Sequence, residues 1–273
     1  MKTQIVLITG ASAGIGLSLA DILMKKGLTV YAASRRGGTE TLCSESGGQI
    51  IPIKMDVNSE TEITAAIKNI IVAHNCLDAV VCNAGNGISG AVEDTRSDEA
   101  KYQFETNFFG TVKCITACLP IFRQQGYGKI MVTSSVAGIV PIPFQAFYSA
   151  SKSALITFMN ALLLEVKPFG IQCCTVLPGD TKTEFTAARK HVERSLSVES
   201  IYYDTLKKSV GRMEHDEQNG MMPEAVAKEM ARQLLKKRMN ITLIPGLMYK
   251  LICWLFSWLP LRFKLWLVGL LYG

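Results

Sequence analysis

The 273-residue sequence predicts an α/β protein: a doubly wound parallel sheet of about seven strands, helices on both faces, and a C-terminal apolar helical tail. Three observations predict it. Short runs of Val, Ile and Leu alternate with longer stretches of helical periodicity. The short runs are almost continuously apolar, as strands buried on both faces require. A glycine-rich turn joins the first apolar run to the first helix.

The elements follow in order. Residues 5–9 read as a buried strand and 17–26 as a helix closed by Gly27. Strands follow at 29–34 and 50–55. Ser59 starts the next helix with a capping box, Ser59-x-x-Glu62. Its apolar stripe is Ile63, Ala66, Ile67, Ile70 and Ile71, spaced i, i+3, i+4, i+7, i+8. A fourth strand covers 77–82. A long helical region over 97–125 is interrupted by Pro120. A fifth strand covers 129–134, and a helix over 147–166 stops before Pro168 and Gly170. Residues 171–177 form the sixth strand and 241–244 the seventh. Residues 184–222 break the rhythm, being polar, mixed in charge and punctuated by Gly211 and Gly220. An insertion beyond a strand's carboxyl end covers the ligand crevice. The chain thus divides into a catalytic unit over 1–245 and a tail over 246–273.

Composition narrows the function. Hydrophobic residues make up 48% and charged residues 19%, which excludes a disordered chain. The net charge of +6 is concentrated. Between Met230 and Gly273 lie Arg232, Lys236, Lys237, Arg238, Lys250, Arg262 and Lys264, with no Asp or Glu. Trp254, Trp258 and Trp266 sit in the same stretch, and the rest of the chain is near neutral. A basic nucleic-acid-binding surface is therefore excluded. The eight cysteines include no CxxC pair, and His74, His191 and His215 are scattered. No zinc site is expected, and the cysteine usage points to a reducing, cytoplasmic compartment. The apolar run at 5–8 is too short for a signal peptide and reads as a strand.

The first chemical motif is Thr9-Gly10-Ala11-Ser12-Ala13-Gly14-Ile15-Gly16. Gly10 permits a tight turn, Gly14 a close approach of backbone to phosphate, and Gly16 close helix–strand packing. The helix N-terminus around Ile15 then offers free N–H groups and a positive dipole end to a pyrophosphate. A Rossmann-type dinucleotide fold is the reading. The spacing T-G-x-x-x-G-x-G resembles that of the short-chain dehydrogenase/reductase family; the apolar tail and the apolar segment at 139–144 resemble its hydroxysteroid/retinol dehydrogenase-like branch.

After the second strand, Ala33-Ser34-Arg35-Arg36 carries no acid to hold a ribose 2′-OH. Two guanidiniums there can clamp a 2′-phosphate. NADP(H) is the expected cofactor, with Arg35 the main contact and Ser34, Arg36 and Ser12 assisting. Asp56-Val57 resembles the family's adenine-binding pair. Cys82-Asn83-Ala84-Gly85 is similar to its N-N-A-G segment beneath the adenosine ribose, with Cys in place of the first Asn. Pro178-Gly179-Asp180-Thr181-Lys182-Thr183 resembles its P-G-x-x-x-T segment. That likeness implies that Thr183 bonds the carboxamide or pyrophosphate and that backbone near Thr181 bonds the carboxamide.

Tyr148 and Lys152 stand at i and i+4 on one helix face. Carbonyl reduction needs an acid for the developing alkoxide, and a nearby ammonium favours phenolate and tunes the Tyr. Lys152 can also hydrogen-bond the nicotinamide ribose. The family resemblance selects Ser135, thirteen residues before Tyr148, to hold the carbonyl oxygen; strand alternation turns Ser134 away. The same likeness makes Asn107 the residue that links Lys152 to solvent through a water. It also implies pairing of helices near 102–125 and 147–167 in a homodimer or homotetramer.

The tail reads as two helical segments of roughly 13 residues, split at Pro260. Each spans about 20 Å, short of a bilayer's ~30 Å core. Lys250, Cys253 and Ser257 form a narrow polar edge. The Trp, Leu and basic composition suits a hairpin lying in a membrane interface, with Lys236, Lys237 and Arg238 toward anionic headgroups. The other reading packs these helices on the substrate crevice or a partner subunit. The whole predicts an NADPH-dependent reductase of a bulky hydrophobic carbonyl compound such as a steroid, retinoid or ketolipid, cytoplasmic and membrane-associated on that face. The alternatives are NADP-dependent alcohol oxidation and a non-catalytic membrane-attached NADPH sensor.

Overall fold

A computed structural model describes residues 4–272; residues 1–3 of the first segment and Gly273 of the tail lie outside the described residues. All seven expected strands form: β1 (Ile5–Thr9), β2 (Thr29–Ser34), β4 (Gln49–Lys54), β5 (Ala79–Cys82), β7 (Gly128–Thr133), β8 (Ile171–Val176) and β10 (Thr242–Leu243). They pair in parallel in the order β10-β8-β7-β5-β1-β2-β4. An eighth strand, β3 (Leu42–Cys43), adds antiparallel to the β4 edge. Two residues carry no readable period, which is why the sequence showed no strand there.

The near-continuous apolar strands do bury both faces. In β1, Ile5 and Leu7 join one core with α2 (Glu60–His74), α4 (Gly110–Gln125) and α5 (Ala146–Val166). Val6 and Ile8 join the other, with α1 (Gly14–Lys25) and α7 (Pro223–Leu235). The cap of α2 is half as expected. Ser59 Oγ accepts from Glu62 N–H at 3.3 Å, but the Glu62 carboxylate accepts from Asp56 N–H (2.8 Å) rather than from Ser59.

The long helical region is interrupted at a different place from Pro120. α3 (Ser97–Phe104) passes into a π-helical turn at Glu105–Phe109, and α4 then runs through Pro120. The proline removes one backbone bond, while Cys114, Ile115, Cys118 and Phe122 pin that helix to the core on both sides of it.

Residues 184–222 are an ordered cover. β9 (Lys190–His191) pairs with β6 (Ile88–Ser89) in a second small sheet. Within the segment lies α6 (Tyr203–Gln218), whose inward stripe is Leu206, Val210 and Met213. The buried Asp94 carboxylate accepts from Ser195 and Ser200 hydroxyls (2.9 and 2.8 Å), tying the cover to the body. The chain ends in the expected helix pair, α8 (Leu247–Trp258) and α9 (Leu261–Tyr272).

Candidate active site

The chain winds from β1 outward through β2 and β4, then returns to the other side of β1 with β5. At this switch point a crevice opens at the carboxyl ends of the strands. It is a single cleft of about 860 Å³, running from the glycine loop past Tyr148 to the inner side of α8 and α9. That volume lies in the range of small-molecule sites.

The glycine loop is built by close approach. Gly10 has φ +65°, and a Cβ there would stand 2.8 Å from Ala84 Cα. Thr9 Oγ1 accepts from the Asn83 and Ala84 N–H groups (3.0 and 3.1 Å), and Asn83 Nδ2 donates to Gly10 O (3.2 Å). Asn83 Oδ1 accepts from Thr133 (3.2 Å), so the Asn83 side chain ties three strand ends together. Cys82 packs in the apolar core at 2% exposure, where the family motif has Asn. α1 begins at Gly14 with no side-chain cap, so its first N–H groups face the cleft free for an anion. Thr183 lies against Gly14 and not only near the substrate end. The Thr181 hydroxyl is spent on Gly179 O (2.9 Å).

Beyond β2, the two arginines are not equivalent. Arg36 donates to Ser12 Oγ (3.3 Å) and pairs with Glu184 at 3.7 Å. The Arg35 guanidinium has no hydrogen bond or ion pair among the described residues, yet lines the cleft. Ser34 Oγ accepts from Gly37 N–H (3.1 Å) and shapes the turn. Asp56 lines the cleft with one oxygen accepting from Asn58 N–H (2.9 Å); Val57, beside it, is buried.

At the far end, Ser135, Tyr148 and Lys152 converge. Lys152 is 4% exposed; its Nζ donates to Thr133 O (2.9 Å) and lies 5.6 Å from the Tyr148 ring centre. Burial lowers its pKa to about 8. Burial pushes Tyr148 up to about 12, opposed by the Ser135 hydroxyl and the Arg189 charge and reinforced by Glu217 and Asp180. Ser135 Oγ accepts from Ala137 N–H (3.1 Å); its hydroxyl also reaches the Tyr148 phenol and makes a long 3.5 Å approach to Pro178 O. Ser134 does point the other way, donating to Lys152 O from inside the body (2.7 Å). Asn107 is fully buried in the π-helical turn. It holds Asn86 through both amide atoms (2.9 and 3.0 Å) and reaches Ser151 Oγ (3.2 Å). A Cβ on Gly85 would stand 3.3 Å from Asn107 Oδ1 and 3.5 Å from Lys152 Nζ, so both side chains border that glycine.

A family model described as short chain dehydrogenase matches residues 4–194. The chain belongs to the short-chain dehydrogenase family. It is an oxidoreductase of the kind that acts on CH–OH and C=O groups. The chain is 38% identical over 261 residues to a 3-ketodihydrosphingosine reductase of Bacteroides thetaiotaomicron, covering 95% of this chain and 94% of the relative. Human 17-beta-hydroxysteroid dehydrogenase type 1 is 33% identical over 195 residues, covering 68% of this chain and 59% of that one. A short-chain dehydrogenase structure from Streptomyces avermitilis superposes with a TM-score of 0.78 at 25% identity, over 92% of this chain and 91% of that one.

This dehydrogenase carries site features that sequence reasoning missed. Phe185, from the cover, sets its ring 5.7 Å from the Tyr148 ring, and the Arg189 guanidinium lies 5.7 Å from the Phe185 ring centre. Arg189 is buried and ion-paired to Glu217. Tyr249 of α8 presses its ring on Gly179, where a Cβ would collide with it. Its hydroxyl donates to Asp180 Oδ2 (2.9 Å) and accepts from Asp180 N–H (3.0 Å). Burial, with Asp180 close by, raises the Tyr249 pKa well above the ordinary value. The tail's inner face is therefore Tyr249, Cys253 and Phe256. This corrects the expected polar edge: Cys253 faces inward, while Lys250 pairs with Glu229 at 3.8 Å and Ser257 is exposed. The only signal for it was the i, i+4, i+7 spacing, hidden in a helix apolar nearly all round.

Proposed function

We propose that the chain is an NADPH-dependent reductase of a long-chain or polycyclic ketone. One observation carries this reading: Ser135, Tyr148 and Lys152 meet where a dinucleotide-shaped cleft passes into an apolar space roofed by α8 and α9. The cofactor fits the residues present. The uncapped N-terminus of α1 suits a pyrophosphate, the side-chain-free Gly10 and Gly14 leave room for it, and the unpaired Arg35 suits a 2′-phosphate. Asp56, Val57, Asn83, Ala84 and Gly85 line the part between. A bound NADPH supplies the hydride.

The protein's part is positioning and proton supply. Ser135 donates its hydroxyl proton to the substrate oxygen, where negative charge develops. Tyr148, held protonated by burial, gives its proton to the same oxygen. Lys152 then stabilises the phenolate that remains. Asn107, which borders Gly85 as Lys152 does and is bonded to Asn86, supports the path by which the proton is replaced. Leu255, Phe256, Leu267 and Leu271 supply an apolar wall suited to a hydrocarbon chain. The substrate class of the Bacteroides relative supports a long-chain ketone over a compact one.

Arg35→Ala is expected to raise KM for NADPH about ten- to hundredfold, since a charge-assisted phosphate bond contributes about 1.5–3 kcal/mol. KM for NADH is expected to stay near its starting value. Equal rises for both cofactors would remove the 2′-phosphate assignment.

The same reading places the tail at a membrane. Among the described residues no helix is long and apolar enough to cross one. The outer faces of α8 and α9 expose Leu247, Leu251, Trp254, Trp258, Trp266 and Leu270. With three tryptophans, several cations and no acid from residue 246 onward, this surface matches the headgroup zone of an anionic bilayer.

A further inference from the structure

Gln145 caps the N-terminus of α5 one turn before Tyr148 and lines the cleft. It is 2% exposed. Its backbone is fully used: the N–H donates to Ile142 O (3.2 Å) and the carbonyl accepts from Ser149 N–H (2.8 Å). Its side-chain Nε2 has no hydrogen-bond partner among the described residues. A buried amide donor left unpaired is costly, so one set in a cleft wall is matched to what the cleft binds.

Its surroundings place it at the substrate end. The adjoining Ile142 and Phe144 pack on Leu206, Val210 and Met213 of the cover, the apolar cluster against which Tyr272 of α9 also packs. Phe144 sits at φ +61°, in the left-handed region that a bulky residue rarely adopts. Its carbonyl is held by Gly90 N–H at 2.9 Å. This constrained turn fixes the entry of Gln145 into the helix that carries Tyr148.

We propose that Gln145 determines specificity by donating a side-chain N–H to an oxygen of the substrate. One helical turn is about 5.4 Å, so that oxygen lies a few bonds from the reacting carbonyl. It is a hydroxyl or a second carbonyl. The preferred substrate is then a ketone with an oxygen-bearing head at Gln145 and a hydrocarbon chain beneath α8 and α9. This rests on the reductase reading above.

The test compares two probes of equal chain length with NADPH: a long-chain 3-ketone and the same ketone bearing a 1-hydroxyl. The wild-type chain is expected to favour the hydroxyketone in kcat/KM by about tenfold, the ratio that roughly 1.4 kcal/mol provides. Gln145→Leu is expected to lose that preference through KM for the hydroxyketone. Because Nε2 has no protein partner, the melting temperature of this variant should hold or rise. Gln145→Glu, which cannot donate when ionised, is expected to lose the preference as well. No discrimination by the wild type, or an equal loss on both probes with a fall in melting temperature, overturns the proposal alone. Reduction of a steroid ketone but of neither probe by the wild type overturns this proposal alone, and reduction of none of the three overturns the reductase reading with it.

Discussion

Tyr148→Phe should lower kcat/KM for ketone reduction by roughly a hundred- to ten-thousandfold, the usual contribution of a positioned acid. NADPH affinity should be essentially unchanged. The substitution removes one oxygen and keeps the ring, so the contact with Phe185 at 5.7 Å survives. What disappears is the proton donor. Burial holds that phenol at a pKa of about 12, and Lys152, itself lowered to about 8, is the cation positioned to stabilise its conjugate base. Ser135 can still hold the carbonyl oxygen but not protonate it. A variant that retained a tenth of wild-type turnover would show that the proton comes from elsewhere.

Deleting residues 247–273 should separate long substrates from short ones. α8 and α9 roof the far end of the cleft, and Tyr249 fixes them by its bonds to Asp180. Each methylene withdrawn from water contributes about 0.8 kcal/mol. A chain that loses cover over three or four methylenes should therefore bind roughly a hundredfold more weakly. A small water-soluble ketone should still be reduced, which also reports that the truncated chain is folded. The deletion should abolish flotation with vesicles that contain anionic lipid. Equal flotation with and without the tail would remove the membrane reading, and an unchanged KM for the long ketone would remove the roof.

The parallel sheet was legible because its information is local. Each of the seven parallel strands is a compact apolar run bounded on at least one side by Gly, Asn or Asp, and these seven need no long-range knowledge to be seen. The same holds for Tyr148 and Lys152, one helical turn apart. Where the reading failed, the cause is equally specific. β3 is too short to have a period. In α6, Leu206, Val210 and Met213 carry a helical spacing, but Gly211 and dense charge masked it. The interruption near Pro120 was misplaced because core contacts on both sides outweigh one lost bond, whereas the π-helical turn at Glu105–Phe109 has no marker residue. Arg35 and Arg36 looked interchangeable; only the structure shows Arg36 held by Ser12 and Glu184. The bonds between Tyr249 and Asp180 join residues 69 apart in sequence, with no pattern to announce them.

The most direct test of the account is NADPH oxidation by the wild-type chain and Tyr148→Phe against long-chain ketones, steroid ketones and short ketones. Wild-type chain should consume NADPH with a long-chain or steroid ketone well ahead of short ones, with matching alcohol formed, and Tyr148→Phe should not. No NADPH consumption with any of these ketones, or equal consumption by both proteins, would contradict it.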